Sequence, residues 1–390
     1  MPDIGDLRQK QALPLTAKVH MSQARIREWY DYWQGNVYIS FSGGKDSTVL
    51  AHMVHEYYPH VPLVFSNTGL EYPEIQAFAR KMGAEFVRPK MSFSEVISKY
   101  GYPIISKETA EAIAGARRLK PDKLRGGVAM GSSETDGTDG PAERKNSWYN
   151  WRRKCLTGVG EFSKENKSIY NKEKWLPLCQ ETQFQISNQC CRVIKKHPLE
   201  VYNKQHHAYP YLGTQTEESR LREQKWLQNG CNAYDGNKKT SQPMSFWLEQ
   251  DVLQYIYDKG LEICSVYGEI VAQDESGMEY MPIPGLKQKL KCSGCNRTGC
   301  IFCGFGCYLD KGETRFQRLA KTHPRQYEYC MGGGQWVDNP KYDPAAPEYD
   351  GDWKNWNPKK IWVPSKEGLG MKKVFDDCNA LYGKDFIRYE

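Results

Sequence analysis

Two groups of residues in this 390-residue chain have the types and spacing to do chemistry. The first is Ser40-Phe41-Ser42-Gly43-Gly44-Lys45-Asp46-Ser47, followed by Thr48. Adjacent glycines let an anion approach the main chain with no Cβ in the way, and the N–H groups that open a helix carry the positive end of its dipole. Ser42, Ser47 and Thr48 add hydroxyl donors and Lys45 adds a cation, a set that suits phosphate. Asp46 would repel phosphate and fits instead as a Mg²⁺ ligand or as a helix-start residue. The spacing G-x-x-x-x-G-K-[ST] is absent, so this is not a Walker loop.

The second group is sulfur. Thirteen cysteines in a reducing compartment stay thiols unless a metal, a cluster or redox chemistry uses them. Cys292, Cys295, Cys300, Cys303 and Cys307 fall within sixteen residues, a density that points to metal. The first four would make a compact Zn²⁺ site, although their central gap is far shorter than the roughly 15 to 20 residues of a zinc ribbon. An iron–sulfur cluster is the alternative. Both can coexist if Cys292, Cys295 and Cys307 hold zinc with a fourth ligand such as His323. Upstream, Cys190-Cys191 leads into Arg192, Lys195, Lys196 and His197-Pro198-Leu199. Neighbouring cysteines rarely bond to each other because the geometry is strained, and burial as small apolar side chains is a thiol's common fate. His52 and His197 read as structural.

The elements that position these groups follow from periodicity. Residues 15–34 carry apolar side chains at helical spacing, 36–41 read as a strand, 42–47 as a polar turn and 48–58 as a helix. A second strand over 61–65 ends at Ser66-Asn67-Thr68-Gly69, and a helix at about 73–82 and a strand at 84–88 follow. Later come a helix after Cys190, a strand near Tyr211 and a helix at about 249–259; beyond Trp336 there is little periodicity. Alternating strands and helices predict an α/β fold, a Rossmann-like parallel sheet with helices on both faces, followed by a Cys-rich C-terminal module. Both polar turns then lie at the carboxyl ends of strands, where such sheets bind ligands. The expected organisation is an N-terminal helix in 1–34, a nucleotide domain in 35–262 with a flexible insertion at about 116–172, and a metal-binding region in 263–390.

Within that insertion, 126–141 is rich in Gly, Ser, Thr and Asp and reads as a mobile loop. It precedes Trp148, Tyr149, Trp151, Arg152, Arg153 and Lys154. A lid or a nucleic-acid-contacting arm is one reading of this patch; aromatic residues packed onto the domain is the commoner one. Lys plus Arg total 54 against 47 for Asp plus Glu, which favours an anionic ligand but falls far short of a histone-like balance. No apolar run approaches the roughly 18 residues that would cross a bilayer. Met1 to Asp6 has acidic residues and no apolar signal stretch, so a cytoplasmic location is expected.

The first group resembles the PP-loop of the ATP pyrophosphatase superfamily, whose Ser-Gly-Gly-x-Asp-Ser motif grips the pyrophosphate part of ATP during attack on the α-phosphate. The resemblance implies that Ser42, Gly43, Gly44, Asp46 and Ser47 contact terminal phosphates, with Asn67 and Thr68 near the nucleotide. The order Cys190-Cys191, Tyr211-Leu212-Gly213 to Arg220, Pro243-Met244-Ser245-Phe246-Trp247 with Asp251-Val252, and Thr298-Gly299-Cys300-Ile301-Phe302-Cys303 is similar to the phosphoadenosine phosphosulfate and adenosine phosphosulfate reductase family. This likeness runs over roughly 36 to 305, excluding the insertion. It implies one [4Fe-4S] cluster on Cys190, Cys191, Cys300 and Cys303, with Lys195 and Arg220 on the substrate's sulfate or phosphate. Two features depart from the reductases. Their loop is usually altered, whereas Lys45, Asp46 and Ser47 are intact here, and no carboxyl-terminal Glu-Cys-Gly is present, Cys330 being the nearest candidate thiol.

The leading expectation is an enzyme that cleaves ATP with Mg²⁺, adenylylates an acceptor that includes tRNA or DNA among its candidates, and supports sulfur transfer with a donor protein or a thiol reductant. A sulfonucleotide reductase that releases sulfite is the alternative. A non-catalytic, nucleotide-sensing module that binds nucleic acid is the second alternative.

Overall fold

The computed structural model describes residues 3–117, 151–236, 239–286, 288–345 and 356–390. The chain divides into two compact units, one made of Met1–Lys90 and Val193–Ile301, the other of Met91–Arg192 and Phe302–Glu390. The stretch from 263 to the end, expected as one region, is divided between them. Residues 126–141, Trp148 and Tyr149 lie outside the described residues.

The first unit opens with α1 (Ile4–Ala12), started by a capping box between Asp3 and Asp6, and α2 (Leu15–Tyr32). Only the second was expected. Its buried face is Lys18, Ser22, Ile26 and Trp29, which includes two polar residues because each has a partner inside. Lys18 Nζ lies 2.6 Å from Asp251, while Ser22 donates to the Pro243 carbonyl and accepts from the Trp247 indole N–H.

Next come β1 (Val37–Phe41), α3 (Lys45–His55), β2 (Leu63–Ser66), α4 (Pro73–Lys81) and β3 (Glu85–Val87), each within a few residues of its expected span. Strands β1 and β2 are nearly continuous apolar runs, as parallel strands covered on both faces must be. β1 pairs in parallel with β2, Ile39 opposite Leu63, and β2 with β3, Phe65 opposite Phe86. After β4 (Ile104–Ile105), which belongs to the second unit, the sheet continues with β5 (Tyr209–Tyr211), β6 (Asn232–Ala233) and β7 (Thr240–Ser241). β5 joins the free side of β1 in parallel, giving the order β3-β2-β1-β5-β7-β6, and only the edge pair β6 and β7 is antiparallel. This is the expected α/β sheet flanked by helices. The chain leaves β1 to one side for β2 and returns to its other side as β5, so the strand order reverses at the carboxyl end of β1. Residues 42–47 sit at that switch point. The unit is completed by the helix Glu249–Lys259 and an antiparallel sheet of β8 (Ile270–Gln273), β9 (Glu279–Tyr280) and β10 (Leu290–Cys292).

In the second unit, β4 pairs in parallel with β11 (Gly304–Phe305), and β12 (Gln335–Asp338) pairs antiparallel with β13 (Lys360–Val363). The helix Met371–Tyr382 buries Met371, Val374, Phe375 and Cys378, spaced as one helical face. The stretch beyond Trp336, read as lacking periodicity, is therefore structured wherever it is described. Trp151 packs edge-on against Phe162 and Tyr170, and Arg152 pairs with Glu111, so the described part of the basic aromatic patch is engaged with its own unit. Buried Arg117 donates to the carbonyls of Leu178, Cys179, Thr182 and Phe184, and its guanidinium lies 4.2 Å from the Trp356 ring centroid. Among the described residues, no helix is long and apolar enough to cross a membrane.

Candidate functional site

α3 starts at Lys45 with Gly44 as its flanking residue. Gly43 has φ +69°, which L side chains rarely adopt, and a Cβ there would lie 2.8 Å from Ile75 Cγ2 and 3.2 Å from the Ile75 carbonyl oxygen. A Cβ on Gly44 would meet the hydroxyl oxygens of Ser42 and Tyr267, each at 3.2 Å. The two glycines thus admit their own neighbours, and the Gly44 N–H donates to Ser42 Oγ at 3.3 Å. Ser47 Oγ donates to the Gly44 carbonyl at 2.9 Å and accepts from the Ser42 N–H, while Thr48 Oγ1 donates to the same carbonyl at 3.0 Å. Ser47 and Thr48 are buried and brace the bend; Ser42 is exposed and Asp46 half-buried, so these two present the loop outward.

Lys45 is 3% exposed. Its ammonium lies 3.2 Å from Asp46 Oδ1 and 3.4 Å from Glu249 Oε1, turned toward these carboxylates. Burial raises the Asp46 pKa, the Lys45 ammonium offsets part of this, and Glu218 adds to the rise. A half-buried carboxylate in that condition gains from a cation, and an oxygen donor suits a hard one such as Mg²⁺. Gln215 Nε2 reaches Asp46 Oδ1 at 3.5 Å, and a Cβ on Gly213 would come 3.0 Å from the Asp46 carbonyl oxygen. The exit from β5 therefore lies directly against the loop. Glu218, paired with Arg222, adds a carboxylate that the sequence did not single out.

At the end of β2, buried Thr68 donates its hydroxyl to Glu71 at 2.6 Å and its N–H to the same carboxylate at 3.1 Å, while Asn67 Oδ1 accepts from the Gly69 N–H at 3.2 Å. This second polar turn is held by Glu71, another residue that residue type alone did not mark. Lys195 lies on a π-helical turn, Cys191–Lys196, that runs into the helix His197–His206, and Ser66 Oγ donates to the Ile194 carbonyl within that turn. Such turns recur at functional sites. Arg220 is exposed at the start of the helix Arg220–Asn229, capped by Ser219.

The cysteines are distributed over both units. Cys292, Cys295 and Cys300 belong to the first, and Cys190, Cys191, Cys303, Cys307 and Cys330 to the second. Cys292 ends β10, where burial pushes its thiol up to about 11 against the pull of the Lys45 ammonium. Burial pushes Cys307 up to about 12, and its thiol donates to the Gly304 carbonyl at 3.1 Å. Cys330, the nearest candidate for an attacking thiol, is fully buried on the helix Pro324–Met331, and burial raises its pKa further. A reactive thiol needs access and a favoured thiolate, and Cys330 has neither. His323 Nδ1 is 2.8 Å from the Thr322 hydroxyl. Among the described residues, no three His, Cys, Asp or Glu side chains are gathered in a way that would hold a metal ion. No chemical step is assigned to a cluster or a zinc ion.

Tyr267 and Thr298 complete the surroundings of the loop, with hydroxyl oxygens 2.7 Å apart. Thr298 opens the Cys-x-x-Cys segment that carries the family resemblance, which gives it no role at the loop, and Tyr267 lies on a short 3₁₀ turn, Ser265–Tyr267, with no periodic or motif signal. Among solved structures, the chain is similar to the crystal structure of phosphoadenylyl-sulfate (PAPS) reductase from Candida auris in its phosphate complex, at 13% identity, covering 68% of this chain and 91% of that one with a TM-score of 0.32. No curated protein matches the chain. The family model of the phosphoadenosine phosphosulfate reductase domain matches residues 36–119 and 160–307, more than half of the sequence, and the chain belongs to that family.

Proposed function

We propose that the protein is a nucleotide-dependent enzyme that holds the pyrophosphate part of ATP in residues 42–47 and transfers the adenylyl group to an acceptor, in support of sulfur transfer. The observation that carries this reading is the intact Ser-Gly-Gly-Lys-Asp-Ser loop at the N-terminus of α3, at the switch point of the sheet. A nucleophilic atom of the acceptor forms a bond to the α-phosphorus as the bond to the bridging oxygen breaks. Pyrophosphate leaves with the electron pair, and the acceptor's proton passes to solvent. The helix dipole of α3 and the Ser42 hydroxyl stabilise the charge that grows on the leaving group. Asp46 is the loop carboxylate that would hold a Mg²⁺ ion brought with the nucleotide, which would supply further neutralisation of phosphate charge. Sulfide-level sulfur from a donor protein or a thiol co-substrate then forms a bond at the activated atom of the acceptor as the bond to AMP breaks and AMP leaves with the electron pair. A net charge of +7 favours an anionic acceptor, tRNA or DNA included. Thirteen cysteines suit a reducing, cytoplasmic setting.

Family membership favours a second reading, reduction of a phosphosulfate nucleotide. There a thiolate attacks the sulfate sulfur, the nucleotide phosphate leaves, and a second thiol frees sulfite. Cys330 is buried, which favours another cysteine or a thiol partner as the source of the attacking sulfur in this reading. The experiment supplies the full chain with Mg-ATP, candidate acceptors and inorganic sulfide, or with phosphoadenosine phosphosulfate and a dithiol, and measures pyrophosphate, AMP and sulfite. Pyrophosphate released one-for-one with AMP is the expected result. Sulfite without pyrophosphate overturns the first reading in favour of the second, and nucleotide bound without turnover of either overturns both in favour of a sensing module.

A further inference from the structure

We infer that Tyr267 is a positioning residue for the phosphate loop and that, through Thr298, it fastens the loop to the cysteine-bearing turn 292–301. The inference rests on the nucleotide-binding reading of the loop. Tyr267 is 2% exposed and touches both partners, one with each end of the residue. Its hydroxyl sits against the start of α3: a Cβ on Gly44 would meet it at 3.2 Å, and Thr298 Oγ1 is 2.7 Å away. Its carbonyl accepts from the Gly294 N–H at 2.9 Å, between the parallel contacts Cys295 N–H to Val266 O and Ser293 N–H to Glu269 O, both also 2.9 Å. A Cβ on Gly294 would come 2.6 Å from the Val266 carbonyl oxygen, so the turn needs a glycine to approach this closely.

The same turn is tied at its far end. The Ile301 N–H donates to the Leu70 carbonyl at 2.8 Å, just beyond Thr68 and Gly69. The segment carrying Cys292, Cys295 and Cys300 is thus fastened to both polar loops at the carboxyl ends of β1 and β2. Tyr267 is the tie that reaches the N-terminus of α3, where phosphate oxygens are to be received. Holding the Gly44 backbone in place before an anion arrives is pre-organisation, which raises affinity by removing an ordering cost from the binding step.

The test is calorimetric titration of the full chain with Mg-ATP and with inorganic pyrophosphate. Tyr267→Phe removes the hydroxyl and keeps the ring; Thr298→Val removes its partner and keeps the shape. Each variant should weaken both ligands by about five- to tenfold, the size expected for one lost hydrogen bond. The double variant should bind no more weakly than the weaker single one, and Thr298→Ser, which keeps the hydroxyl, should restore wild-type affinity. Unchanged affinities in both single variants overturn the inference, and so do losses that add in the double variant, because the two hydroxyls then act independently. Should Tyr267→Phe fail to fold, the Val and Ser variants at position 298 decide. Failure of the wild-type chain to bind either ligand overturns the nucleotide reading itself.

Discussion

Replacing Gly43 with alanine separates what the phosphate loop needs from what any left-handed glycine needs. An L-residue at φ +69° costs about 1–2 kcal/mol in conformational energy alone. The new methyl would also press on Ile75, at 2.8 Å from Cγ2 and 3.2 Å from the carbonyl oxygen, and the second of these belongs to the backbone of α4 and cannot rotate aside. Overpacking of this kind adds about 1–3 kcal/mol. Gly69 is the matched control: its φ is +73°, and a Cβ there would meet nothing within 4 Å. Gly69→Ala should therefore show the conformational cost alone. Both positions lie in the first unit, so one urea transition reads both variants. Gly43→Ala should lose at least about 1 kcal/mol more stability than Gly69→Ala, and its ATP affinity should fall by more than about tenfold as the bend shifts away from Ile75. Equal stability losses in the two variants, or wild-type ATP affinity in Gly43→Ala, would refute the reasoning.

Three further outcomes are expected. The Asp46 pKa is raised in the folded chain by burial, so the folded state binds that proton more tightly than the unfolded one, and stability falls as pH rises through the raised pKa. Thermal unfolding should accordingly show Asp46→Asn more stable than wild type at neutral pH, with the gap closing on acidification; a gap that ignores pH would count against the buried-carboxylate account. Arg117→Met strips a guanidinium from four carbonyls in the second unit and should cost about 3–5 kcal/mol in urea unfolding, and a loss below about 1 kcal/mol would show that water replaces those bonds. Alkylation of the native chain at neutral pH, mapped by peptide mass, should leave Cys307 and Cys330 unmodified until denaturant is added. Labelling of native Cys330 would return it to the list of candidate nucleophiles.

Residue periodicity carried the sheet because β1 and β2 are apolar runs bounded by polar turns, and only the intended pairing buries them. α1 escaped notice because it buries little besides Leu7 and Gln11, leaving almost no apolar stripe to read. The helix Met371–Tyr382 was hidden by the Pro- and Trp-rich composition before it, although its four buried positions are regularly spaced. The loop at 42–47 was legible because its types are adjacent in sequence. Its supports were not: Tyr267, Thr298, Gln215 and Glu249 come from four separate segments, and only folding brings a hydroxyl, an amide and a carboxylate to one bend. Thiol spacing along the chain is a different kind of signal, since it does not by itself say which side chains meet, and the division into units falls between Cys300 and Cys303.

Lys45 changes how the loop must meet charge. Read from the sequence, it is a cation for phosphate; folded, it is buried against half-buried Asp46 and Glu249, and its positive charge is shared with two carboxylates. What remains for an incoming polyphosphate is the N-terminus of α3, worth at most about 2 kcal/mol in a partly buried geometry, and the outward Ser42 hydroxyl, worth about 1 kcal/mol. Those two sources do not offset the repulsion between three or four phosphate charges and the nearby Asp46 carboxylate. A loop of this composition binds ATP well only when a divalent cation lies between phosphate and Asp46, so affinity should collapse by at least about a hundredfold in EDTA relative to Mg²⁺, and the collapse should shrink in Asp46→Asn, where the repelling carboxylate is gone. Calorimetry of the full chain under the two conditions measures both effects. Equal affinity with and without Mg²⁺ would mean that Lys45 swings out to the phosphates, and that its seat beneath the loop belongs to the empty site alone.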